Sequence, residues 1–233
     1  MPVWFITLCK GIDFVVYWAM VIPIAIAQYN RRWLVGGLRT LRFIPLFLLV
    51  MYCCAQVAII LWRYTLPINH LNTVGEALLY LKVYHDEFTN SIIKRRVRLV
   101  AVIFLAFAVV DSFWLEGFQQ INAYTNLIES FLIITLALIY FEIHILRRQR
   151  IAALRKPMFV ASIGIILYLA GTIVLHLVTN HLIAANDEGD ARIVYLISSF
   201  LLFLMVTLFS RAFWLARPVK ALDTTTAPII INA

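Results

Sequence analysis

Long apolar runs separated by short basic clusters fill the chain from Val3 to Leu215. Seven runs can be drawn: Val3 to Gln28, Phe43 to Trp62, Pro67 to Phe88, Leu99 to Gly117, Asn122 to Arg150, Pro157 to Leu182 and Ile193 to Leu215. Each is near or above the ~20 residues that cross a ~30 Å hydrocarbon layer as a helix. The pattern predicts an all-α, seven-transmembrane helix bundle over residues 1–215 and a short tail over 216–233. Pro67 and Pro157 stand where helices begin and a missing N–H costs nothing. Pro23 and Pro45 fall inside or at the start of spans, which membrane helices tolerate.

Two runs carry polar stripes. With Glu129 as reference, Asn122, Thr125, Asn126, Ile133, Leu136, Tyr140 and His144 lie within ~60° on a helical wheel. With Glu76 as reference, Asn69, Asn72, Tyr80, Val83 and Glu87 lie within ~40°, and Thr73 at ~60°. The fourth run offers Asp111 among apolar neighbours. The sixth offers Tyr168, Thr172, His176, Thr179 and Asn180 on one broad face. Such stripes turn inward, because an ionisable side chain at mid-bilayer costs about 2.5–3.5 kcal/mol unless paired, hydrated or near an interface.

Composition agrees with the runs. The chain is 63% hydrophobic and 14% charged, far from ordinary soluble domains. The net charge of +8 raises nucleic acid as a partner, but the basic residues sit between apolar runs and the membrane reading prevails. Sixteen of the twenty Lys and Arg fall at the ends of runs one, three, five and seven or in the stretches that follow them. The positive-inside rule then predicts the N-terminus outside, the C-terminus in the cytoplasm and an odd number of spans. Ala25-Ile26-Ala27 resembles a signal-peptide cleavage site. The first run is nevertheless read as retained, because no basic stretch precedes Lys10 and cleavage would leave Arg31 and Arg32 outside. Cys9, Cys53 and Cys54 form no CxxC pair and read as apolar packing residues.

In this orientation Glu76, Asp111, Glu129 and His176 all fall in the outer half. The expected site is an outward-facing polar pocket lined by Asn72, Glu76, Tyr80, Asp111, Asn126, Glu129, Thr172 and His176. Like charges held close in low dielectric favour a proton, a cation or an amine-bearing small molecule there. The bland alternative is that these groups only pair helices to one another. His70 and His181 are expected at the outer interface, His85 and His144 near the inner one. Lys82 has Asp86 one turn on as an ion-pair partner. Asp86, Glu87 and Glu142 are expected to pair with the basic loops.

Enzyme signatures are absent: no HExxH, GxSxG, P-loop or dinucleotide fingerprint occurs. His176 and His181 are ~140° apart on a helix and form no i, i+4 zinc pair. No cofactor is expected. Retinal is excluded on the sequence, because Ile193 to Leu215 holds no Lys for a Schiff base.

The segments Asn126-Leu127-Ile128-Glu129-Ser130 to Ile139-Tyr140-Phe141-Glu142, and Lys156-Pro157-Met158-Phe159-Val160 to Tyr168-Leu169-Ala170-Gly171-Thr172, resemble a group of small bacterial seven-span proteins without an assigned activity. Members of that group are often encoded near sensor histidine kinases, and the resemblance covers roughly spans three to six. It implies a bacterial inner-membrane location and a sensory role with a sensor kinase or other membrane partner. The expected function is a receptor-like sensing subunit that signals through its cytoplasmic loops. The alternatives are a small transporter or channel, a structural subunit of a membrane complex, and an intramembrane metal-dependent hydrolase.

Overall fold

The computed structural model describes residues 3–115, 117, 122–146, 155–184 and 188–217, with the side chains of 145–146, 176–184 and 188–191 outside that description. The described residues are helical or in short turns. The helices are α1 (Val3–Ala19), α2 (Val21–Tyr29), α3 (Gly37–Leu41), α4 (Phe43–Trp62), α5 (Leu66–Glu87), α6 (Ser91–Val110), α7 (Ala123–Phe141), α8 (Pro157–Ala184) and α9 (Glu188–Leu215). Single π-helical turns extend α6 over Asp111–Leu115 and α7 over Glu142–Leu146.

Six helical stretches are long and apolar enough to cross a membrane: Trp4–Tyr29, Gly37–Trp62, Ser91–Leu115, Ala123–His144, Pro157–Leu175 and Arg192–Leu215. The chain is therefore an integral membrane protein. The third run, α5, is 22 residues long but too polar to join that set. Its packing explains how so polar a helix is accommodated. Successive neighbours α4, α5, α7, α8 and α9 close a ring through α1 and α2, and α6 lies outside it against α5. Large apolar side chains fill the ring, among them Met20, Leu41, Ile44, Ile133, Ile165 and Phe209, none more than 0% exposed.

Several boundaries depart from the pattern of runs. The first run breaks at Met20. Pro23 cannot donate a hydrogen bond to Ala19, so the helix stops and restarts as α2. The fourth helix begins at Ser91, not Leu99. Asn90 caps it by accepting from the Ile92 N–H at 2.8 Å, and the basic cluster is then part of its first two turns. The last helix begins at Glu188 rather than Ile193. Cys53 and Cys54 are exposed on the outer face of α4, so they meet the surroundings of the bundle rather than its packed interior. Most of the tail, 218–233, lies outside the described residues.

The end of the bundle that carries Arg31, Arg39 and Arg95, the basic end, is tied by specific bonds. Asn30 is 0% exposed; its amide donates to the Phe213 carbonyl at 3.0 Å, and its side-chain oxygen accepts from Arg217 at 2.7 Å. Glu87 accepts from the Gly37 N–H at 2.9 Å, and Asp86 accepts from Thr40 at 2.7 Å. These bonds pin the short α3 against α5. The contact requires glycine: Gly36 has φ +56°, and a Cβ on Gly37 would stand 2.7 Å from the Val83 carbonyl oxygen. Lys82 pairs with Asp86 at 2.6 Å, as their spacing predicts.

Candidate functional site

The two polar stripes meet. Helices α5 and α7 pack together with Glu76 and Glu129 as electrostatic neighbours, 5% and 3% exposed. Gly75 makes the approach of α4 to this level possible. A Cβ there would overlap the Phe47 ring, at 2.3 Å from its nearest atom. Tyr80, one turn along α5, neighbours Glu76, and its hydroxyl lies 3.4 Å from the Met205 sulfur. Tyr17 of α1 and Tyr168 of α8 complete the surroundings of Glu76.

A second polar layer lies one turn further from the basic end. Thr73 donates to Asn126 Oδ1 at 3.2 Å. Asn126 donates to the Asn122 carbonyl at 2.8 Å and to Asn122 Oδ1 at 3.1 Å. Thr125 donates to Asp111 Oδ2 at 2.5 Å. Asp111 opens the π-helical turn that ends α6, and it is 0% exposed. Its own N–H still bonds the Phe107 carbonyl, so the register of α6 places it. Ser112, the next residue, contacts His70 Nδ1 at 3.2 Å. His70 is 4% exposed, so it belongs to the packed interior and not to the hydrated interface expected for it.

Hydrogen bonding at this end is left unfinished. Buried atoms without a partner include Glu76 Oε1, Glu129 Oε1, Asp111 Oδ1, Asn72 Oδ1 and Asn122 Nδ2. A buried polar atom left unpaired costs about 1–3 kcal/mol, more when charged. Four of the five are acceptors, and the three carboxylate oxygens are acceptors whichever way the amides are turned. The missing partners are therefore protons, donors or cations. Among the described residues no group of three or more His, Cys, Asp and Glu is arranged to hold a metal ion. Asp111 sits at the level of Thr125, one turn from Glu129, and does not join the two glutamates in a common cluster.

Of the residues expected to line a pocket, Glu76, Tyr80 and Glu129 form the centre, and Asp111 and Asn126 form the second layer. Asn72 is half-buried with its Oδ1 unpaired. Thr172 is buried, but its hydroxyl donates to backbone carbonyls of its own helix, Tyr168 at 2.9 Å and Leu169 at 3.2 Å. The side chains of His176, Thr179, Asn180 and His181 lie outside the described residues. Tyr17 was not expected; it shares a face of α1 with Lys10 and Asp13, but nothing in that helix names Glu76 of α5 as its neighbour. Asp13 accepts a hydrogen bond from Ser199 of α9, a partnership across 186 residues that no local spacing signals.

Compared with known proteins, the chain matches no family model, no curated protein and no solved structure.

Proposed function

We propose that the chain is a receptor-like subunit of the bacterial inner membrane, with seven spans, its N-terminus outside and its C-terminus in the cytoplasm. The seventh span in this reading is α5, whose polar stripe is shielded by α4, α6 and α7. The ligand is a small cation or an amine-bearing molecule seated between Glu76 and Glu129. One observation carries the proposal: buried carboxylate oxygens on Glu76, Glu129 and Asp111 have no donor. An ammonium group brings three N–H donors and a positive charge, and answers both deficits at once.

Helix α5 would transmit occupancy. It carries Glu76 and Tyr80 toward the outer side. Ten residues on, ~15 Å along the axis, it carries the Asp86 and Glu87 contacts that hold α3. A ligand that favours one placement of α5 moves the α3 loop with it, by no more than its differential affinity for the two placements. The reader of that loop would be a sensor kinase or another membrane partner.

Passage through the protein is the weaker reading. A transporter needs a polar path from Glu76 and Glu129 to Glu87 and His144. Tyr84, Ile133, Ala137, Ile165 and Phe209, all 0% exposed and part of one apolar core, count against such a path. The test is thermal unfolding of the purified chain in detergent, titrated with sodium, potassium and methylammonium. A saturable rise in midpoint is expected with at least one of them, lost in Glu76→Gln and in Glu129→Gln. If none of the three shifts the wild-type protein, while both variants unfold at a higher temperature, the glutamates are a structural pair and the proposal fails.

A further inference from the structure

Two grooves flank the first turns of α6 at the basic end, and Arg98 lines both. One, about 250 Å³, lies between α5 and α6, with Leu78, Leu81, Val97 and Ala101 as its apolar bed and Lys82, His85 and Arg98 at its rim. The other, about 540 Å³, sets Arg95, Arg96 and Arg98 beside Ile92, Leu99 and Val102. Because α6 packs outside the ring, its outer face meets lipid: Ile92, Leu99 and Val102 are 61%, 60% and 66% exposed.

Among the described residues, the three arginines of this face have no acidic partner. Lys82 is matched by Asp86. Glu87 is engaged with the Gly37 N–H. Among the described residues no carboxylate lies within ion-pair distance of Arg95, Arg96 or Arg98. The Asn90 cap starts the helix early, so Arg98 stands ~10 Å into α6 at ~1.5 Å per residue, where its neighbours turn apolar. Three guanidinium groups at the edge of hydrocarbon call for an anion, and their planar forks match phosphate oxygens. The apolar beds on both flanks match acyl chains. A zwitterionic choline headgroup would place a cation against the same arginines; a net-anionic one does not.

We propose that α6 and the adjoining face of α5 hold one anionic diacyl phospholipid, its phosphate on Arg95, Arg96 and Arg98 and its two chains in the grooves on either side of Arg98. The site is separate from Glu76 and Glu129 and stands whether or not they bind a ligand. It also places a fixed lipid against α5, the helix that bears those acids.

The experiment is native mass spectrometry of the full chain, delipidated in detergent and titrated with phosphatidylglycerol or phosphatidylcholine of equal chain length. One phosphatidylglycerol should bind at least about tenfold more tightly than phosphatidylcholine, since each basic residue near an anionic headgroup contributes severalfold. R95Q/R96Q/R98Q should lose that preference, and R31Q/R32Q, at another basic corner, should keep it. An equal loss in both variants, or none in the first, overturns the proposal as a general charge effect. If the triple variant does not fold, Val102→Trp settles the matter alone. It fills one acyl bed with the charges untouched and should weaken phosphatidylglycerol binding severalfold; unchanged binding overturns the assignment.

Discussion

The two ends of α5 carry the same kinds of side chain and treat them in opposite ways. At the basic end, Asp86 accepts from Lys82, Thr40 and His85, and Glu87 from the Gly37 N–H. At the other end the Tyr80 hydroxyl lies against the Met205 sulfur, and Glu76 faces a second carboxylate and keeps one oxygen without a donor. The difference is not depth of burial alone, because residues around both ends are packed. It is the supply of donors. The basic end has cations, a free backbone N–H at a helix start and a threonine within reach. The far end has threonines, phenols and amides, each already engaged, and no cation among the described residues around Glu76. A helix whose acids are satisfied at one end and waiting at the other is built to be held at the first and to respond at the second.

The strongest test of this contrast is at the satisfied end. Asn30→Ala removes a buried side chain that joins the ends of α2 and α9, and leaves the Phe213 carbonyl and the Arg217 Nε without their partner. The expected loss is about 2–3 kcal/mol in reversible unfolding by denaturing detergent, as for buried bonds that include a charged donor. A loss below about 0.5 kcal/mol would mean that water replaces Asn30 freely, and the basic end would not be the fixed anchor described here.

How much of this was legible in the sequence follows from range. Six apolar spans were, because an apolar run states its own length. The meeting of Glu76 and Glu129 was, because each stripe has a single inward direction and both lie at one depth. Partners set by irregular geometry were not. A lone Asp111 in an apolar run does not say which residue of α7 it will meet, and Thr125 could not be read off as its partner. Tyr17 shares a face of α1 with Lys10 and Asp13, but a helical wheel does not say which other helix that face meets. The early start of α6 was hidden for a different reason: a run of arginines reads as a loop, although Arg is a good helix former and Asn90 supplies a cap. The short α3 rests on a backbone-to-carboxylate bond between residues 50 apart, beyond any local rule.

A middle-sized effect is expected at the far end. Thr125→Val deletes the one hydroxyl that bonds Asp111 and leaves that carboxyl without a protein donor for either oxygen. Unfolding should become easier by about 1–2 kcal/mol. The comparison sharpens if sodium or methylammonium restores part of the loss, because the added cation would then supply what the threonine did. It breaks if the variant is as stable as the parent, since Asp111 would then gain nothing from Thr125 and the second polar layer would have no role in holding the acids.

The smallest effect separates a bond that is visible from one that matters. Lys82 and Asp86 are joined at 2.6 Å, the shortest ion pair at the basic end among the described residues, yet the lysine side chain is 57% exposed. An exposed i, i+4 pair contributes about 0.3–0.5 kcal/mol, because water and mobile ions screen it and two flexible chains must be held still. Asp86 would keep Thr40 and His85 after Lys82→Gln. The variant should therefore unfold within about 0.5 kcal/mol of the parent, measured by the same denaturing-detergent titration at low and moderate salt. A loss above about 1.5 kcal/mol would show that Lys82 neutralises the acids of this end in a way its exposure conceals. The anchoring of α3 would then depend on net charge rather than on the directed bonds from Thr40 and Gly37, and the satisfied end would owe its stability to the same electrostatics that leave the other end incomplete.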